Sequence, residues 1–357
     1  MLSSTNTSLV AFTICSNNYL ALARAWVESM RRFAPDFRLV IGLVDEIQPG
    51  VNYDSCAPAE IVPISTIGIP DFDEMVLRYR IVELNTAVKP FLFKHLFTKF
   101  GTSAEQIVLY FDPDIKIFAP LKPILKALED SSILLTPHIL SPVPDSHAPF
   151  GEHLFLNYGI YNLGFCGMRW TPETAKALDW WSDRLEHQCK DDVRNGLYVD
   201  QLWANLIPIF FKEVNISKNI GLDVAYWNLH ERRLSEVNGT WFVNNDTPLV
   251  FYHFSSFEYS NSQSLGKFSV HYNLSNRPEM APLFDQYRAE LRANGHEQLR
   301  MLPCAYVEAR EAHLKALQVE YFKKHPIRHF VKKLKCLVPL NLLTRFRTTT
   351  SENAIGI

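Results

Sequence analysis

Three observations predict an α/β fold with a mainly parallel central sheet and a C-terminal helical extension. Short apolar runs alternate with stretches of helical spacing through the first hundred residues. Three of these runs end abruptly on polar residues, at Ser16-Asn17-Asn18, Asp45-Glu46 and Asp112-Pro113-Asp114. Ligands of such sheets bind beyond the carboxyl ends of the strands, so three polar ends point to one functional edge. The composition agrees: 357 residues, 47% hydrophobic and 21% charged, supply an ordinary globular core.

In chain order, residues 8–15 (SLVAFTIC) read as a buried strand. The following NNYLALARAWVESMRRFAP sets Leu20, Ala23, Val27 and Met30 at helical spacing and stops before Pro35. FRLVIGLVDE is a second strand and AEIVPIS a third. Helical patterns occupy residues 73–100, and Gly101 closes the last of them. QIVLYF is the next strand. The proline-, histidine- and glycine-rich PHILSPVPDSHAPFGEHLFLNYGIYNLG reads as a long functional loop. TPETAKALDWWSDRLEHQC is a helix with Thr171 as its cap and Pro172 at the first helical position. TPLVFYHF is another strand, and no internal repeat is evident. Residues 1–300 form the expected main domain, and residues 301–357 a basic amphipathic extension.

Several function classes are disfavoured. A net charge of -2 argues against nucleic acid as a partner. The six cysteines contain no Cys-x-x-Cys pair, which supports neither a zinc knuckle nor a disulfide framework; reduced thiols in a cytoplasmic protein are the simplest reading. No basic n-region precedes the first apolar run, and no segment is apolar enough to span a bilayer, so a secreted or anchored form is not expected and Asn238-Gly239-Thr240 reads as an incidental sequon. Neither Gly-x-Gly-x-x-Gly after the first strand nor Gly-Lys-[Ser/Thr] is present, against a dinucleotide dehydrogenase and a P-loop NTPase. From His313 to Arg347 nine Lys or Arg face one acid, Glu320, with Leu, Phe and Val between them. Such a stretch suits peripheral contact with an anionic membrane, or equally a solvated helix packed on the main domain, and Pro326 and Pro339 interrupt any single long helix.

The chemistry centres on Ile107–Phe118, IVLYFDPDIKIF. Two carboxylates at i and i+2, fixed beyond a strand, suit a hard divalent cation, Mn²⁺ or Mg²⁺, of the kind that shares oxygen ligands with substrate phosphates. Pro113 stiffens the turn between Asp112 and Asp114. The plain alternative is a turn, for which Asp and Pro are ordinary residues.

Asp112-Pro113-Asp114 resembles the Asp-x-Asp signature of nucleotide-sugar-dependent glycosyltransferases with the GT-A fold. YNLGF (161–165) resembles the Asn-x-Gly-Phe element of retaining family-8-like enzymes, VDQLW (199–203) their Asp-Gln element, and FYHFSSF (251–257) their His-Phe element. TAVKPF (86–91), VAYWNLHERRL (224–234) and SLGKF (264–268) are similar to elements of bacterial polysaccharide-assembly glycosyltransferases. The resemblance runs in order over residues 8–300. Two departures stand out: Ser256 occupies a position where family-8 enzymes carry Gly, with the following lysine displaced to Lys267, and Asp223 stands where the bacterial group carries Asn.

The resemblance implies a nucleotide-sugar donor, a glycan or lipid-linked acceptor, and Mn²⁺ or Mg²⁺ held by Asp112, Asp114 and His253. It places Asn17, Asn18 and Tyr19 at the nucleobase, although Asn18 suits a helix N-cap equally. Lys89, Asn162, Gly164 and Lys267 fall on the donor side with Asp112. Asp200 and Gln201 lie beside the reacting carbon. Trp227, Asn228 and His230 border the acceptor, with core packing as the alternative for Trp227. The reading that follows is a cytoplasmic-face glycosyltransferase of surface-polysaccharide synthesis, retaining in stereochemistry. A sugar nucleotidyltransferase would carry a glycine-rich phosphate loop after the first strand, and ICSNNYLA has no glycine. A non-catalytic carbohydrate-binding protein on the same fold would not need Asp112, Asp114, Asp200 and His253 together. A metal phosphoesterase would need denser His and Asp clustering.

Overall fold

A computed structural model describes residues 9–325. β1 (Leu9–Cys15) leads through a 3-10 turn at Asn17–Tyr19 into α1 (Leu20–Phe33). β2 (Arg38–Leu43) and β3 (Glu60–Pro63) follow, then α2 (Phe72–Arg78), α3 (Ile81–Ala87) and α4 (Lys89–Phe100). The acidic turn separates β4 (Ile107–Phe111) from β5 (Ile115–Ile117). Next come α5 (Lys122–Glu129), β6 (Ile133–Pro137), α6 (Glu152–Tyr158), β7 (Tyr161–Arg169) and α7 (Pro172–Gln188). Shorter elements follow: β8 (Asp191–Asp192), β9 (Leu197–Tyr198), α8 (Gln201–Ala204), α9 (Ile207–Phe210), β10 (Val214–Ile216), β11 (Leu234–Val237), β12 (Thr240–Val243), β13 (Thr247–Pro248) and β14 (Phe251–His253). The described chain closes with α10 (Ala281–Ala293), α11 (His296–Leu299) and α12 (Ala305–Lys324).

The central sheet has the order β10-β6-β7-β4-β1-β2-β3. β7 alone runs against its neighbours β4 and β6; every other pairing in the sheet is parallel. This is the mixed, mainly parallel α/β architecture that the alternating pattern predicted. The carboxyl ends of β1, β2 and β4 consequently lie side by side at one edge.

Alternation within each strand divides the core between the two faces of the sheet. Val10, Phe12 and Ile14 point to the face covered by Phe93 and Phe97 of α4, while Leu109 and Phe111 join Trp26 and Met30 of α1 on the other. The Phe12 and Phe93 rings meet edge to face at 4.8 Å. Full burial of each such aromatic side chain contributes about 1.5–3 kcal/mol. Thr171 caps α7 as expected, its Oγ1 accepting from Thr174 N at 3.1 Å.

Two expectations need correction. The segment read as a long loop contains α6 and the first residues of β7. Gly159, at φ +124, ends that helix and turns the chain directly into β7, whose two glycines weaken the apolar pattern of a buried strand. TPLVFYHF is two strands rather than one: β13 pairs with β12, whereas β14 pairs antiparallel with β5. Pro248 has no N–H to continue a ladder, and the chain changes sheets there.

The main compact unit ends at Glu308, and a second unit begins at Ala309. Most of the basic tail, residues 326–357, lies outside the described residues. Among the described residues Cys15, Cys56, Cys166, Cys189 and Cys304 are buried free thiols, and no helix is long and apolar enough to cross a membrane.

Candidate active site

The acidic turn is clamped at both ends. Asp112 N donates to Gly164 O at 2.7 Å, and Ile115 N to Asp112 O at 3.0 Å. β5 then pairs with β14, which sets His253 opposite Ile115. Phe254 N bonds Asp114 O at 2.9 Å and His253 N bonds Val224 O at 2.8 Å, fixing the register. This pairing carries the imidazole over the two acids. His253 Nε2 lies 3.2 Å from Asp114 Oδ1 and 3.7 Å from Asp112 Oδ2. One ligand atom from each of the three residues falls within 4.8 Å of the others.

The electrostatics of the cluster favour positive charge. Burial disfavours a charged imidazole, yet Asp114, with Asp223 and Asp112, outweighs it and pushes His253 up to about 10. Burial raises the Asp112 carboxyl; Lys89 opposes the rise and Asp114 adds to it. The same three carboxylates that favour a positive charge on His253 would favour a divalent cation between them. Two carboxylates and one imidazole are a suitable donor set for Mn²⁺ or Mg²⁺.

Beside this cluster lies a buried ion pair. Lys89, in the first turn of α4, directs its ammonium to Asp200 and to Leu163 O at 2.7 Å. Its Nζ stands 4.2 Å from the centroid of the Tyr110 ring, and the Tyr110 hydroxyl donates to Asp112 Oδ1. The pair is therefore linked to the acidic turn through one aromatic side chain. Burial raises Asp200, and Lys89 counters it. Gln201 ties two segments together: its Oε1 accepts from Leu163 N at 3.2 Å and its Nε2 donates to Tyr158 O at 2.8 Å. Asn162 Oδ1 accepts from Gly164 N at 2.9 Å, and its Nδ2 faces His138 Nε2 at 3.2 Å.

At the end of β1, Asn17 is fully buried and binds the neighbouring strand end. Its N donates to Asp45 Oδ2 at 3.2 Å, its Nδ2 to Glu46 O at 2.8 Å, and its Oδ1 accepts from Tyr53 OH at 2.7 Å. Asn18 accepts from Ser16 Oγ at 2.6 Å and caps no helix with its side chain. Tyr19 remains half exposed, and burial together with the nearby Asp114 charge raises its hydroxyl. Of these three residues it is the most exposed.

The expected acceptor residues divide. The Trp227 ring stands 5.3 Å from that of His253 at 86°, so it walls the Asp112–Asp114–His253 cluster. Asn228 is buried and its side chain is spent on backbone groups, donating to His138 O at 3.0 Å and Asp223 O at 2.8 Å while accepting from Ala225 N at 3.0 Å. His230 Nε2 contacts Ser141 O at 3.2 Å. Lys267 is exposed, with its Nζ 5.6 Å from the Phe268 ring.

Three participants were not assigned a place in the site from the sequence. Tyr110 gives no signal, being one of five apolar strand residues. His138 is buried in the segment read as a loop. Asp223 was visible only as a departure from the bacterial pattern; its carboxylate lies 3.6 Å from His253 Nδ1.

No protein-family model matches the chain. It is similar to two uncharacterized proteins of Bacillus subtilis (strain 168). YfnD is 26% identical over 255 residues, spanning 69% of this chain and 76% of that protein. YfnF is 27% identical over 150 residues, spanning 42% of this chain and about half, 49%, of that protein. Among solved structures the chain is similar to the galactosyltransferase LgtC in complex with donor and acceptor sugar analogues (TM-score 0.46, 14% identity, 79% of this chain and all of that one). It is also similar to the glycosyltransferase GlyE of Streptococcus pneumoniae TIGR4 (TM-score 0.45, 11% identity, 84% of this chain and 65% of that one).

Proposed function

We propose that the chain is a metal-dependent glycosyltransferase that moves a sugar from a nucleotide-diphosphate donor, a UDP-sugar in the favoured case, to a glycan or lipid-linked acceptor. The observation that carries this reading is the convergence of Asp112, Asp114 and His253 at the sheet edge, next to the buried Lys89–Asp200 pair. Those three residues would hold Mn²⁺ or Mg²⁺, which supplies Lewis-acid stabilisation of a leaving diphosphate. Tyr19 offers a stacking face for the nucleobase beside the strand ends. Lys89 opposes the burial that disfavours charge on Asp200 and fixes its position, so that this carboxyl group is set beside the developing positive charge of the sugar.

A retaining outcome fits this arrangement. Asp200 is almost fully buried and bound to Lys89, which suits an electrostatic role better than a freely attacking nucleophile. The acceptor oxygen then bonds to the anomeric carbon on the face the phosphate leaves; the carbon–phosphate-oxygen bond breaks, and the acceptor proton passes to that oxygen. Surface-polysaccharide synthesis at the inner membrane face completes the reading, supported by the basic tail in the sequence.

A thermal-shift screen of UDP-, GDP- and dTDP-sugars with and without Mn²⁺ tests the proposal, because a ligand that binds the native state stabilises it by mass action. One donor should shift the protein only with metal and then release nucleoside diphosphate in the presence of acceptor. Asp114→Ala should abolish the metal-dependent shift; a response equal to wild type removes the metal assignment. Binding of a donor with no release would favour a non-catalytic protein on the same fold.

A further inference from the structure

We infer that Asp223 is a positioning residue for His253, holding the ring so that Nε2 faces Asp112 and Asp114. The inference rests on the metal reading above. Asp223 is fully buried, and neither carboxylate oxygen has a hydrogen-bond partner among the described residues. His253 Nδ1 is likewise buried without a hydrogen-bond partner. These unpartnered groups face each other at 3.6 Å, while the opposite ring nitrogen looks at the acids of the turn.

The backbone fixes this confrontation. Asp223 adopts φ +54, a left-handed conformation that Asp and Asn tolerate better than most residues. Its carbonyl accepts from Asn228 Nδ2 at 2.8 Å, and the next residue, Val224, accepts from His253 N at 2.8 Å. The Trp227 ring meets the imidazole edge to face, and Gly164 lies close on a further side. Arg232 does not engage the carboxylate by any hydrogen bond: its Nη1 donates to Leu222 O at 2.6 Å, and its Nε faces Glu231 at 3.5 Å.

A carboxylate behind a metal-binding histidine has a defined chemical effect. By accepting the proton of one ring nitrogen it fixes the tautomer, orients the ring and makes the other nitrogen a better donor. The Asn of the bacterial group would offer one acceptor oxygen at this point; the carboxyl of Asp223 offers two, both without another hydrogen-bond partner among the described residues.

The test uses the full chain, stripped of metal with EDTA and titrated with Mn²⁺ alone, with free Mn²⁺ followed by electron paramagnetic resonance. Asp223→Asn should weaken the Mn²⁺ Kd by roughly 10- to 100-fold, the size typical of losing such a partner. Its melting temperature in EDTA reads the metal-free contribution of the Asp223–His253 contact separately, so a weakened Kd is expected whatever the size of that stability change. A purely structural role predicts a lower melting temperature in EDTA with an unchanged Kd. Asp223→Ser provides the same comparison should the Asn form fail to fold. Equal Mn²⁺ affinity of wild type and variant overturns this inference alone. Absence of any Mn²⁺ binding by wild type overturns it together with the metal reading.

Discussion

Gly164 makes room for His253. A Cβ atom at residue 164 would lie 2.8 Å from His253 Nδ1 and 2.7 Å from Asn162 Oδ1, closer than real Cβ contacts allow. The same glycine accepts the hydrogen bond that anchors Asp112. One missing methyl group therefore lets a β7 residue brace the acidic turn while the imidazole lies over it.

Gly164→Ala should accordingly push the ring away or displace β7. Overpacking of this kind costs about 1–3 kcal/mol. Urea unfolding of wild type and variant, each with and without Mn²⁺, measures it. The variant should be less stable in EDTA and should lose most of the stabilisation that Mn²⁺ gives wild type. Full retention of that stabilisation would show that the ring can hold a metal without the space at Gly164.

The Lys89–Asp200 pair carries a second prediction. Both side chains are almost completely buried, so removal of one leaves the other charged without its partner. Lys89→Met should destabilise the protein by about 3–5 kcal/mol. The double variant Lys89→Met/Asp200→Leu should recover much of that loss, since an apolar pair replaces an ionic one of similar place. Transferase activity should stay absent in both. A urea double-mutant cycle decides the matter: strictly additive losses would mean that the two residues do not depend on each other.

Much of this site was legible because its parts are local. Strand ends at residues 16–18, 45–46 and 112–114 announce themselves by an abrupt switch from apolar to polar, and the parallel sheet places them together. Asp112 and Asp114 need only a tight turn to approach each other. His253 depends instead on the pairing of β14 with β5, a long-range register that only resemblance could suggest. Asp223 depends on that register and on a left-handed backbone, and neither leaves a mark in the residue pattern. β7 escaped notice because glycines occupy the close approaches within it. The departure at Ser256 has a backbone counterpart: this serine adopts φ +54, the region in which a glycine is favoured, so the family pattern marks a conformational demand that the chain meets at some cost.

His138 gives a prediction about acid. Burial pushes this imidazole down to about 4, with contacts to Ile160 only partly opposing it. The hydrogen bonds specify a neutral ring: Nδ1 faces Ile160 O at 3.2 Å, and Nε2 faces the Nδ2 donor of Asn162 at 3.2 Å. A folded-state value below the unfolded one means that the unfolded chain binds the extra proton first. The stability linked to His138 is therefore complete above the ordinary histidine value of about 6.5 and falls as pH drops toward 4. The whole loss amounts to about 3 kcal/mol for this one group. Urea unfolding at steps between pH 7 and pH 4.5 should show wild type losing stability more steeply than His138→Gln, which keeps a neutral polar side chain there. Parallel pH profiles for the two proteins would show that His138 takes up its proton in the folded state as readily as in the unfolded one, and that its burial does not exclude the charge.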